Sequence, residues 1–217
     1  MSGLIIGGSR VPVPGVNVVT WIDDPKRAPK IADGKVRRVA PSAVCLHTSR
    51  GVRGNVQPGA RPSSRAETLA LYQSRTERQV SWHLTIDTDG DVLQQEDLST
   101  WMAWHASHAN GWTVGIELVQ HPDSGDLWQA QIDAAVSVVA AICDTLSIPK
   151  RIPVDATGSP VRGVVKAWQE ASEGGRQGSW SGVIGHRHLT INRGVGDPGD
   201  WIFLALLARG FAGETVE

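Results

Sequence analysis

The run "LWQAQIDAAVSVVAAICDTLSI" (127–148) constrains the fold more than any other stretch of the chain. Its apolar positions are dense and recur with helical period, so it reads as the strongest helix present. Such a helix needs another layer to bury its apolar face, and short strand-like runs before and after it supply a sheet. "SAVCLH" is a buried strand ending at His47. "VSWHLTID", the turn "TDGD" and "VLQQEDL" read as a hairpin. "TVGIELVQ" is a further strand, with Ile116 and Leu118 on one face and Glu117 on the other. "GSWSGVIGHRH" ends in a strand reaching His186, and "DPGDWIFLALLARGFA" reads as a closing helix. Ser63 or Ser64 can cap one more helix, running through about Arg78 with Leu69, Leu71 and Tyr72 as partial apolar faces. The expected architecture is a single α/β domain, a central mixed β-sheet flanked by helices.

Residues 1–40 are rich in Gly and Pro and read as an irregular arm packed on the domain, with one short strand at "VNVVTW". Residues 41–217 carry the domain itself, interrupted at 153–180 by what reads as an inserted loop with a short helix. The bulk numbers exclude several classes. The chain has 217 residues, 41% hydrophobic and 20% charged, enough to bury a core in one large domain or two small ones. A net charge of −1 gives no global drive toward nucleic acid or an anionic membrane. No run of ~18 apolar residues is present, so no membrane-inserting helix is expected. The opening "MSGLIIGGSRVPVPGV" makes a poor signal peptide, so synthesis in a cytoplasm is expected. Cys45 and Cys143 sit in apolar runs and read as buried thiols. Nine Trp against one Tyr and two Phe is unusual. Packing accounts for most of them, and Trp82 and Trp104 suit a groove that stacks on sugars or flat ligand faces.

The chemistry concentrates in "GHRHLTINRGVGDPGD" (185–200). A catalytic zinc takes three protein ligands and leaves a fourth position to water. His47 and His186 end two strands, and Asp197 lies in a Gly/Pro-constrained turn that can return a carboxylate to the same ion. Two imidazoles and a carboxylate suit Zn²⁺. Glu117, mid-strand among apolar neighbours, is a candidate general base, the alternative being a Glu that faces solvent. Among the other histidines, His83 reads as a hydrogen-bonded core residue. His108 and His121 read as solvated. His188 reads as a surface residue, one near the ligands, or a spare ligand.

Five segments, "LHTSRG", "VSWHLTIDTDGDVLQ", "WMAWHAS", "NGWTVGIELV" and "GHRHLT…DPGD", occur in an order that resembles the zinc-dependent N-acetylmuramoyl-L-alanine amidases. That family includes phage endolysins, cytosolic recycling amidases and peptidoglycan recognition proteins. The resemblance spans about Ala43 to Phe203. It implies zinc on His47, His186 and Asp197, Glu117 activating the attacking water, and His105 near the substrate. Trp82 stands where other branches carry a catalytic Tyr, so the chain is more similar to the Glu-dependent branch. Many members carry a Lys two residues before the last ligand. Here that position is Val195, so either Arg193 supplies the cation or zinc alone polarises the carbonyl.

The implied reaction cleaves the amide between N-acetylmuramic acid and L-alanine in peptidoglycan. The resemblance favours a monomeric phage endolysin acting on the wall after release from the cytoplasm. A recycling amidase, a peptidoglycan-binding module without catalysis, and a structural zinc closed by His188 are the other readings.

Overall fold

A computed structural model describes residues 2–22, 35–49, 66–119, 127–166, 168, 180–190, 192 and 196–216. In chain order its strands are β1 (Leu4–Ile6), β2 (Ser9–Val11), β3 (Val18–Thr20), β4 (Lys35–Val36), β5 (Ala43–Thr48), β6 (Leu84–Ile86), β7 (Val92–Gln94), β8 (Trp101–Met102), β9 (Thr113–Leu118), β10 (Arg151–Val154), β11 (Gly182–Gly185) and β12 (Ala212–Thr215). The helices are α1 (Ala66–Arg75), α2 (Gln129–Leu146) and α3 (Asp200–Ala208).

Six strands form the central sheet in the order β11-β5-β9-β6-β7-β3. It is mixed, as expected: β6 and β7 pair antiparallel and every other neighbouring pair is parallel. The β6–β7 hairpin turns at "DTDGD", where Gly90 takes φ +89° and a Cβ would meet Ala130 O at 2.8 Å. Glycine therefore satisfies both the turn and the close approach of α2. The strand expected at "VNVVTW" is β3, the sheet edge beside β7.

The parallel strands are buried on both faces, and their alternation assigns each face a partner. Val44 and Leu46 of β5 and Val114, Ile116 and Leu118 of β9 share one apolar core with Ile132, Val139 and Ile142 of α2 and Ile202, Phe203 and Leu206 of α3. Gln131 pins the start of α2 to the sheet, its Nε2 donating to Ile86 O (2.9 Å) and Val119 O (2.7 Å). On the opposite face Ala43, Cys45 and Ile184 meet Trp112, Trp168 and Trp180. His47, Thr113, Gly115 and Glu117 alternate onto that second face.

One feature differs from the expectation. Residues 153–154, placed at the start of an inserted loop, belong instead to β10, which pairs in parallel with β12. Ser63 and Ser64 lie outside the described residues, and the Ala66 N–H donates to Asp87 Oδ2 of the hairpin turn (2.9 Å). Both cysteines are buried, as expected. Among the described residues no helix is long and apolar enough to cross a membrane.

Candidate metal centre and active site

Three neighbouring parallel strands deliver the site. His47 is the penultimate residue of β5 and Glu117 the penultimate residue of β9, and the two are register partners. His186 follows β11 directly, opening a 3₁₀ turn over His186–His188 rather than ending the strand. All three gather at the carboxyl ends of β11, β5 and β9, where parallel sheets form ligand crevices.

Asp197 comes back to these strand ends because both ends of its loop are tied. The Arg187 N–H donates to Asp197 O (2.8 Å). Arg187 Nη1 donates to Pro198 O (3.0 Å) and Asp200 Oδ1 (2.8 Å), and the guanidinium lies 4.7 Å over the Phe203 ring. Burial lowers the Arg187 pKa, partly offset by its hydrogen bond to Asp200. From the other side the Thr48 N–H donates to Asp197 Oδ1 (2.8 Å), and the Thr48 hydroxyl donates to Gly196 O (3.0 Å). The carboxylate is thus bound by the backbone next to His47.

One donor atom from each of His47, His186 and Asp197 falls within 4.8 Å of the others, and His186 Nδ1 is 3.6 Å from Asp197 Oδ2. Ligands of one tetrahedral ion at about 2.1 Å stand about 3.4 Å apart, close to the spacing of the His186–Asp197 pair. Cys45, His47 and His105 meet the same distance limit. Cys45, however, is fully buried. Of the first group, His47 and Asp197 line a cavity of about 440 Å³ whose wall also includes Glu117. An ion held by His47, His186 and Asp197 would have three protein ligands, the number that leaves a coordination position for water in hydrolytic sites.

His105 lines the same cavity. Its Nδ1 is 2.8 Å from His47 Nε2 and its Nε2 is 3.2 Å from Thr113 Oγ1. Burial holds its pKa well below the usual imidazole value. Trp82 also lines the cavity, with its indole N–H donating to Thr85 Oγ1 (2.7 Å). Its backbone is gripped by Gln73 of α1, which accepts from Trp82 N and donates to Trp82 O (both 3.2 Å). Trp104 is not brought to this wall. It sits 5.7 Å beneath the Lys35 ammonium, its backbone N–H bound by Ser81. Arg193 and Val195 lie outside the described residues, as does His121.

The remaining histidines separate cleanly. His83 accepts from the Gly115 N–H at Nδ1 (2.9 Å) and lies 3.0 Å from Trp101 O at Nε2. Burial and the nearby Arg37 push its pKa down to about 3, so it is a neutral, hydrogen-bonded core residue. His188 corrects the expectation of a surface residue or spare ligand. It is fully buried, accepting from Gly185 N at Nδ1 (3.0 Å) and donating toward Val161 O from Nε2 (2.8 Å). His108 is exposed. Sequence reasoning had not given α1 a part in the site, yet its Leu69 and Tyr72 form part of the cavity wall. The available signal was the apolar spacing of these residues toward the end of a predicted helix.

With this geometry in place, comparison with known proteins decides the family. The N-acetylmuramoyl-L-alanine amidase family profile matches residues 37–200, most of the chain. The chain belongs to that family. Among solved structures, wild-type Drosophila PGRP-LB superposes with a TM-score of 0.54 at 15% identity, covering 91% of this chain and 96% of that one. The amidase endolysin LysCS from Clostridium intestinale URNW gives a TM-score of 0.50 at 13% identity, covering 92% and 97%. These likenesses establish the shared fold. A sequence search of curated proteins found no match.

Proposed function

We propose that this amidase is a zinc-dependent peptidoglycan hydrolase that cleaves the bond between N-acetylmuramic acid and L-alanine, and that it serves as a phage endolysin. The observation that carries the catalytic part is the convergence of His47, His186 and Asp197, with His47 and Asp197 lining a cavity that Glu117 also lines. His47, His186 and Asp197 are the residues that would hold zinc. A bound zinc ion supplies carbonyl polarisation and lowers the pKa of the attacking water toward ~7.

The chain's own groups do the rest. Glu117, opposite His47 in the sheet, accepts a proton from the water and returns it to the leaving amine of L-alanine. The cavity shelters the scissile amide, with Trp82 as a flat wall for sugar or peptide. Arg193 is the candidate cation for developing negative charge. The protein is read as a monomer, made in the host cytoplasm and acting on the wall after release. It is expected to need no nucleic acid partner, in keeping with its net charge of −1.

A recycling amidase and a non-catalytic recognition module have the same fold, so the products must separate them. Intact sacculi and soluble anhydromuropeptides are digested with and without chelator. An endolysin clears sacculi and exposes N-terminal alanine, with chelator abolishing both. Cleavage confined to soluble fragments refutes the endolysin assignment, and new reducing ends in place of alanine refute the amidase chemistry. Binding without cleavage identifies a recognition module.

A further inference from the structure

Thr113, Gly115 and Glu117 occupy alternate positions of β9 and face the same side of the sheet. Glu117 is the proposed base, and the other two belong to a hydrogen-bond chain whose direction can be worked out. The Thr113 hydroxyl donates to Ala109 O (2.7 Å). With its proton committed there, Thr113 Oγ1 is an acceptor for His105 Nε2, 3.2 Å away. The two ring nitrogens of His105 meet a hydroxyl and an imidazole rather than a carboxylate, so the ring is a neutral imidazole with its proton on Nε2 and its lone pair on Nδ1. That lone pair faces His47 Nε2 at 2.8 Å, so His47 Nε2 must carry a proton. Neutral His47 then has its lone pair on Nδ1.

The seat of His105 is built with equal care. A Cβ on Gly115 would lie 2.5 to 2.7 Å from His105 Cγ, Cδ2 and Nδ1, so the ring lies flush against the bare backbone. Asn110 holds the segment from the other side, its Oδ1 accepting from the N–H groups of His105 (2.9 Å) and Ala106 (2.6 Å).

We propose that His105 is a positioning residue: with Thr113 and Gly115 it holds His47 in the tautomer that presents Nδ1, not Nε2, to the metal. This assignment rests on the zinc reading of the site and replaces a direct substrate contact as the main role of His105. Metal-bound imidazoles generally donate their second N–H to a carboxylate, carbonyl or water, and loss of that partner weakens metal binding about 10–100-fold. Here a second, neutral histidine serves as the acceptor, and it can do so only while Thr113 takes its other proton.

The test measures zinc affinity by competition with a chromophoric chelator and reads the His47 tautomer from long-range ¹H–¹⁵N spectra of the metal-free chain. In the wild type His47 is protonated on Nε2. His105→Ala raises the zinc Kd about 10–100-fold and mixes the His47 tautomers. His105→Asn, whose Oδ1 can stand near the lost Nδ1, recovers much of the affinity. Thr113→Val keeps the shape at 113 but frees His105 to protonate Nδ1 against His47, so it also weakens zinc binding. Should His105→Ala fail to fold, Thr113→Val and His105→Asn carry the test. Zinc affinities within twofold of wild type in His105→Ala and Thr113→Val, a His105→Asn no tighter than His105→Ala, or a wild-type His47 protonated on Nδ1, overturn this assignment alone. Failure of the wild-type chain to bind zinc overturns the underlying reading and this assignment with it.

Discussion

Gly115→Ala is the perturbation that most directly loads the contact between β9 and His105. The new Cβ would sit 2.5 Å from His105 Cγ and 2.7 Å from Cδ2 and Nδ1. Ordinary carbon contacts begin near 3.5 Å, so the ring must retreat by about 1 Å. The His47 Nε2 to His105 Nδ1 distance, now 2.8 Å, then lengthens to roughly 3.8 Å, beyond hydrogen-bond range. Overpacking of this kind costs about 1–3 kcal/mol, against a backbone gain of about 0.4–1 kcal/mol from losing glycine's unfolded-state freedom. A net loss of about 1–2 kcal/mol is expected. In a His105→Ala background the ring is gone, so the same substitution should be neutral or slightly stabilising. Urea denaturation of wild type, both single variants and the double variant closes the cycle, and a coupling of at least about 1 kcal/mol is expected. Equal destabilisation by Gly115→Ala in both backgrounds would refute the claim that the ring is what occupies that space.

Other consequences can be checked independently. Glu117→Gln should lower kcat about 10²–10⁴-fold while zinc content stays at the wild-type level; loss of zinc along with activity would make Glu117 a ligand instead. Arg187→Met removes the donors that tie Pro198 and Asp200. It should cost about 3 kcal/mol and weaken zinc binding, with thermal melts and chelator competition as readouts. Unchanged zinc affinity would show that the loop returns Asp197 without this clamp. Glu96 is almost fully buried, and burial pushes its pKa up to about 8 from an ordinary 4.5, against a partial pull from Arg37. The folded state therefore keeps a proton that the unfolded state releases, and stability falls as pH rises from about 4.5 to 8. Glu96→Gln should remove that slope, gaining on the order of 3 kcal/mol at pH 8 relative to pH 4.5. Identical pH slopes in the two proteins would contradict it.

Much of the arrangement was legible because it depends on period-2 alternation. Once "SAVCLH" and "TVGIEL" read as strands, His47 and Glu117 had to project opposite to Leu46 and Ile116, away from the main core. The hairpin was legible in its turn residues. The β10–β12 pair was not, since Pro153 argues against a strand and "AGET" has little β propensity; only long-range parallel pairing makes either a strand. His188 misled because His-x-His suggests one face of a strand. In the 3₁₀ turn that forms instead, residues two apart point in different directions. The partner of His105 could not be read at all, because the contact spans 58 positions and no local pattern encodes it.

The central claim is that His47, His186 and Asp197 hold one catalytic zinc. Elemental analysis of the purified chain and of Asp197→Ala, each after equilibration with limiting zinc, tests it most directly. About one zinc per chain is expected for the wild type and little for the variant, with the folded state of both verified by circular dichroism. Wild-type protein that carries no zinc, or an Asp197→Ala variant that retains a full equivalent, would contradict the account.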